Sequence, residues 1–219
     1  MKSEDSVLAA IAGYVDTLSF VALFGLFTAH VTGNFVLIGA ELVNHNGDVV
    51  VKLLALPVFV LAIVLAVKAA EALARRGRGQ VAPFLYAEAL LLAFAAAAAL
   101  HPPAAATDPV AIAAGLLAVA AMGLQNALMR LGLAALPATT VMTLTVTQAT
   151  IDAVTLLGRA ADAPNREEAG RRFSRMWPQM AAFTAGAAAG AAGYAVAGLG
   201  ALLLPAAACV AVALLWQAK

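Results

Sequence analysis

Runs of about 20 residues with almost no charge recur along the whole chain, and that is the length a helix needs to cross the hydrocarbon core of a bilayer. Six such runs stand out: Ser6–Phe27, Val50–Ala72, Pro83–Leu100, Pro109–Leu131, Met176–Ala197 and Leu199–Trp216. Hydrophobic residues make up 63% of the 219 positions and charged residues only 11%. A soluble domain of this size has too much surface to hide so much apolar material. Composition therefore excludes an ordinary soluble domain and a disordered chain. The single cysteine, Cys209, excludes a disulfide framework, and a net charge of +1 excludes a nucleic-acid binder. The expectation is an all-α, polytopic helical membrane protein forming one membrane domain over 1–219.

Two weaker stretches, Thr28–Val43 and Ala138–Gly158, lie between the strong ones and are interrupted by Thr, Asn, Gly, Gln or an acid. Basic residues favour the cytoplasmic side of a membrane. With six crossings and the N-terminus inside, all but Lys52 of the 13 lysines and arginines fall inside. If both weak stretches also crossed, the basic residues would divide far more evenly. A seven-span version, in which only Thr28–Val43 crosses, matches the six-span split. We take six spans, with both termini inside the cytoplasmic membrane and the weak stretches as polar half-helices or re-entrant segments. Non-helical backbone at membrane depth is tolerated only inside protein or beside a wet cavity. The start of the chain is acidic at Glu4 and Asp5 and its first apolar run is broken at Asp16, so it does not read as a cleaved signal.

A faint internal repeat runs through this pattern. Gly13 precedes Thr32 as Gly123 precedes Thr143, with one residue of slippage, and Asp16 then falls near Asn126. Glu41 and Asp152 follow their threonines at the same spacing. Halves of about 1–104 and 105–219 would each hold three spans. An odd number turns the second half upside down, giving a 3+3 inverted repeat of the kind that recurs in transporters.

Gly13-Tyr14-Val15-Asp16, Phe27-Thr28-Ala29-His30, Thr32-Gly33-Asn34, Met122-Gly123-Leu124-Gln125-Asn126 and Thr140-Val141-Met142-Thr143 together resemble the YoaK-like family of bacterial integral membrane proteins, which carry domain of unknown function 1275. The resemblance covers nearly the whole chain. It implies a six-span protein of the bacterial cytoplasmic membrane and supplies no substrate. One departure stands out: the second half reads Thr143-Leu144-Thr145 where a Thr-Gly-Asn-like motif often occurs, so a close-approach glycine is lost there.

The candidate solute-site residues are Asp16, Thr32, Gly33, Asn34, Glu88, Gln125, Asn126, Thr143 and Thr145. Thr32-Gly33-Asn34 would either present unpaired backbone and an amide to a solute or form a tight turn between helix ends. Asp16 lies about ten residues into its span, near mid-membrane. A carboxyl at that depth is a candidate proton carrier. The plainer alternative is a carboxylate satisfied by Asn34, Asn126 or a backbone donor. Glu88 is either a second ionisable cavity residue or an acid near the interface. Gln125 and Asn126 serve equally well as hydrogen-bonding links between helices. Thr139, Thr140, Thr143, Thr145 and Thr147 form a hydroxyl stripe whose members can bond their own helix backbone. Gly186, Gly190 and Gly193 make a small-residue packing face, within the subunit or in a homodimer. Arg166–Arg175 reads as an amphipathic cytoplasmic loop touching anionic headgroups.

His30, His45 and His101 are scattered, and no metal-ligand cluster, phosphate loop or nucleophile elbow is present in the sequence. We expect no enzyme activity, metal or cofactor. The leading expectation is a small-solute transporter or channel, with the solute between 28–38 and 139–148 and a proton exchanged through Asp16. The alternative is a non-transporting assembly factor or sensor subunit.

Overall fold

A computed structural model describes residues 2–44, 49–133, 142–158 and 163–218. The described residues are helical, with no strand among them. In order they form α1 (Lys2–Ala22), α2 (Gly33–Asn44), α3 (Val49–Arg75), α4 (Val81–Ala96), α5 (Pro109–Leu131), α6 (Met142–Leu157), α7 (Ala163–Ala197) and α8 (Leu203–Gln217). Tight 3-10 turns follow α4 at Ala97–Leu100 and α7 at Gly198–Leu202. Thr139, Thr140 and the expected start of the second weak stretch at Ala138 lie outside the described residues.

Among the described residues, five helical stretches are long and apolar enough to cross a membrane: Asp5–Ala22, Val49–Arg75, Val81–Leu100, Pro109–Leu131 and Pro164–Gln217. The last holds 54 residues and is broken at Gly198, where φ is 55°. Straight, it would run about 80 Å, more than twice the hydrocarbon thickness. The weak stretches are short helices. α2 has 12 residues and α6 has 16, about 18 and 24 Å. Sequence overran the first span by five residues, because α1 ends at Ala22 and Leu23–Phe27 turn away from it. It also placed the start of α7 too late. The polar segment from Ala163 is helical and continuous with the apolar one despite Pro178. Asp108 caps α5 as its Asp-Pro start suggests, Oδ1 accepting from Val110 N at 2.8 Å with Pro109 in the first turn.

The packing has a pattern. α1 lies along α7 and α5 along α3; α2 packs on α3 and α6 on α7; α4 packs on α5 and α8, and α8 on α1. Exchange α1 with α5, α2 with α6, α3 with α7 and α4 with α8, and the same set of pairs returns. The α4–α8 contact maps onto itself. The paired contacts differ in extent, most of all α4 on α5 against α8 on α1, and the second turn's contacts with α7 and α4 have no counterpart of comparable size.

The close helix pairs have a local cause. Gly13 on α1 sits against the Phe183 carbonyl of α7, so closely that a Cβ there would overlap it. Its counterpart Gly123 on α5 sits against α3, where a Cβ would come 3.1 Å from the Phe59 carbonyl and 3.0 Å from Ala62 Cβ. From the other side, Gly186 and Gly190 of α7 meet the backbone of Ala10 and Tyr14. Gly193 leaves room for the Tyr14 ring, whose hydroxyl donates to the Ala201 carbonyl at 3.1 Å. The small-residue face of α7 is thus used inside the subunit, against α1. Close backbone approach of this kind drives helix association where lipid offers no hydrophobic incentive.

Candidate functional site

α1 ends in a reversal. Phe24 has φ 55° and Gly25 φ 77°, two successive left-handed residues that turn the chain back on itself. The segment then returns along α1 to Asp16, six residues or about 9 Å before the helix end. There Asp16 Oδ1 accepts from Thr28 N at 2.8 Å, Ala29 N at 2.7 Å, His30 N at 3.5 Å and Thr28 Oγ1 at 3.3 Å. Its Oδ2 lies 2.7 Å from His30 Nδ1. Asp16 is 5% exposed, and these donors replace the water that a carboxylate would otherwise need. The His30 ring also meets Phe183 of α7 edge-on, with centroids 5.5 Å apart.

Asn34 completes the clamp from the start of α2. Its Oδ1 accepts from Phe27 N at 3.0 Å and its Nδ2 donates to the Phe27 carbonyl at 2.8 Å, so it pairs with both backbone groups of one residue. Gly33 lies under the Phe27 ring, where a Cβ would come within 3.0 Å of it. The Thr32 side chain is exposed, and its carbonyl accepts from Phe35 N at 3.2 Å. Asp16 and Asn34 therefore converge on one break and are occupied in shaping it.

Lys52 locks the reversal from α3. Its fully buried ammonium donates to the Phe24 carbonyl at 2.8 Å and pairs with Glu41 of α2 at 2.7 Å. A similar arrangement lies in the other half. Arg172 of α7 grips Asp152 of α6 through Nη2 at 2.7 Å and Nε at 3.2 Å, while Gln148 donates to the same carboxylate at 3.0 Å. Arg172 holds the Asp152 carboxyl below the usual carboxylate range. Arg166 caps the end of α6 by donating to the Leu156 carbonyl at 3.2 Å and to that of Gly158. In each half, then, an acid on the short helix is paired with a base on the long helix it packs against.

The remaining candidates lie elsewhere. Gln125 is buried and donates to the Leu8 carbonyl at 2.8 Å, tying α5 to α1. Asn126 donates to the Met122 carbonyl of its own helix at 2.8 Å. Thr143 is exposed, and its carbonyl accepts from Thr147 Oγ1 at 2.8 Å. Thr145 is buried on α6. Glu88 is fully buried in α4. The two polar stretches are not brought together: α2 packs on α3 and α6 on α7, with no packed interface between α2 and α6 among the described residues.

A groove of about 570 Å³ runs between α3, α4 and α5, lined by apolar residues such as Leu65, Ala66, Phe84 and Leu124, with Arg76 at one end. None of the candidate residues lines it. Sequence reasoning placed Lys52, His30, Glu41 and Asp152 without seeing their partners. The usable signal was that Lys52 is the one base left outside in the six-span count, with an acid on the neighbouring short helix.

The sequence that folds this way matches one family model. It is that of a protein of unknown function, DUF1275, and it matches residues 6–215. The chain belongs to the DUF1275 family. No curated protein and no solved structure matches it. What this DUF1275 member shows is a helical, multi-pass membrane architecture with one clamped helix break and two acid–base pairs between short and long helices.

Proposed function

We propose that this DUF1275 protein moves a small solute across the bacterial cytoplasmic membrane, with six crossings, both termini inside and the two halves related as an inverted repeat. The observation that carries the reading is the helix pairing that survives exchange of the halves. Such an exchange, with an odd number of crossings per half, puts equivalent breaks at opposite membrane faces, the plan behind alternating access. The acid–base pairs support it. Glu41–Lys52 and Asp152–Arg172 occupy corresponding places in the two halves and would fasten opposite faces. The structure is then the closed form. Asp16, His30 and Asn34 hold one break shut, and an imidazole and a carboxylate 2.7 Å apart can share or release a proton as it opens.

The test is flux. Proteoliposomes carrying an internal pH dye are offered monocarboxylates, amino acids, polyols and monovalent ions in turn. The wild type is expected to move one class, with flux changed at least about tenfold by Asp16→Asn or Lys52→Ala. Unaltered flux in both folded variants would overturn the site.

A second reading has its own support. The polar groups of the break are spent on one another, and the groove near Arg76 is apolar. A non-transporting membrane subunit would have these features. It predicts no flux for any class and a stable co-purifying membrane partner.

A further inference from the structure

The α4–α8 contact is the most extensive pair that maps onto itself when the halves are exchanged, and it holds a carboxyl group with nothing to neutralise it. Glu88 is 0% exposed, and neither Oε1 nor Oε2 makes a hydrogen bond. On α4 it shares a stripe with buried Leu85, Ala89 and Leu92; the buried stripe of α8 is Pro205, Ala206, Cys209, Val212 and Ala213. Cys209 interacts with it from α8, and a thiol is a weak donor. The other elements packed on α4 bring no charge: the buried face of α5 carries only apolar residues and Gln125, and the turns Ala97–Leu100 and Gly198–Leu202 have no titratable side chain. Gln125 donates to Leu8, not to Glu88.

A bare carboxylate in that setting is costly, and the cheapest neutraliser is a proton, which needs neither a cavity nor a further ligand. We infer that Glu88 is a reversible proton-binding site that controls the α4–α8 contact. Protonated, it is compatible with the closed contact. When the helices part and water arrives, the proton passes from the carboxyl to water, and it must return before the contact closes again. Asp16 differs because donors already surround it. The inference deepens the transport reading and rests on it for its purpose, but its chemistry is measurable without any solute.

Infrared spectra of the full-length protein in liposomes report both partners. The wild type is expected to show a neutral carboxylic-acid carbonyl band at neutral pH that Glu88→Gln lacks. Cys209 is the only cysteine, so its S–H stretch is an isolated reporter. That band should shift as the acid band is lost on raising the pH and should stay fixed in Glu88→Gln. Dicyclohexylcarbodiimide, which attacks protonated carboxyls in apolar surroundings, should modify Glu88, with labelling falling at least about tenfold between about pH 6 and about pH 10. Absence of the acid band in the wild type, an adduct only at another carboxyl, or labelling of Glu88 that does not vary with pH would each overturn the proposal. The pH titration of the wild type stands by itself if Glu88→Gln fails to fold. Failure of the flux experiment leaves these readings intact, so the two ideas fall separately.

Discussion

Asp16 shows how one side chain can fix the course of a chain. Its Oδ1 gathers the backbone N–H groups of Thr28 and Ala29, which have left helical pairing and have no water to turn to. Asp16→Ala strands both donors, and at about 1–3 kcal/mol for each unsatisfied buried group it should lower stability by several kcal/mol. Asp16→Asn keeps an acceptor and should cost less. Denaturant titration in detergent, with proteolysis between Phe24 and Gly33, checks the order. At Gly190 the backbone of Tyr14 fills the space a side chain would need. Gly190→Leu should abolish folding, and Gly190→Ala should lower stability by about 1–3 kcal/mol in the same titration. Sequence brought out these positions for clear reasons. A carboxylate in an apolar run and glycines at helical spacing are conspicuous in a membrane chain. What Asp16 holds was not visible, since its partners are backbone groups and any residue supplies those.

Among the elements, the two short helices carry the most information. α2 and α6 are short, with 12 and 16 residues, and are fastened by charge, Glu41 to Lys52 and Asp152 to Arg172. Removing one member of a buried pair leaves its partner uncompensated. Lys52→Ala should therefore cost about 3–5 kcal/mol, and Lys52→Ala with Glu41→Gln should recover part of it in a double-mutant cycle. The second pair has a pH signature. Arg172 lowers the folded value for Asp152, so its stabilisation is complete above the ordinary carboxylate range and is lost as pH falls through the lowered value. Trp177 fluorescence, with Trp216 replaced by Phe, should show α6–α7 loosening in acid, and Arg172→Ala should loosen already near neutrality. The short helices were legible as polar interruptions. Their pairing was not, because it joins residues on separate helices that no spacing rule connects. The same reason hid the separation of 28–38 from 139–148: local pattern says which segments are unusual, not which neighbours they take.

For the whole molecule, the sequence hints at exchangeable halves were Gly13 with Gly123, Asp16 near Asn126, and the equal spacing of Glu41 and Asp152 from Thr32 and Thr143. In three dimensions those two glycines press against Phe183 and Phe59 of corresponding long helices, a likeness of position that the rest of the sequence scarcely keeps. Helix packing asks for small residues at a few contacts and tolerates almost anything apolar elsewhere, so similar pairings leave few marks in the letters. The proposed orientation can be checked in a Cys209→Ala background. Single cysteines at Gly77 and Ala104 should react with an impermeant maleimide from opposite sides of inverted and right-side-out vesicles, Gly77 from the cytoplasmic side. Labelling of both from one side would remove the odd number of crossings per half on which the inversion depends.

The partnership of α1 with α7 bears on how the chain is made. α1 is made well before α7, yet its buried Asp16 and its bare surface at Gly13 have α7 as their principal cover. Until that cover arrives, α1 must wait in the membrane with its grooved face open to lipid or to an insertion chaperone, so truncation before α7 should leave a product marked for degradation, not a smaller working unit.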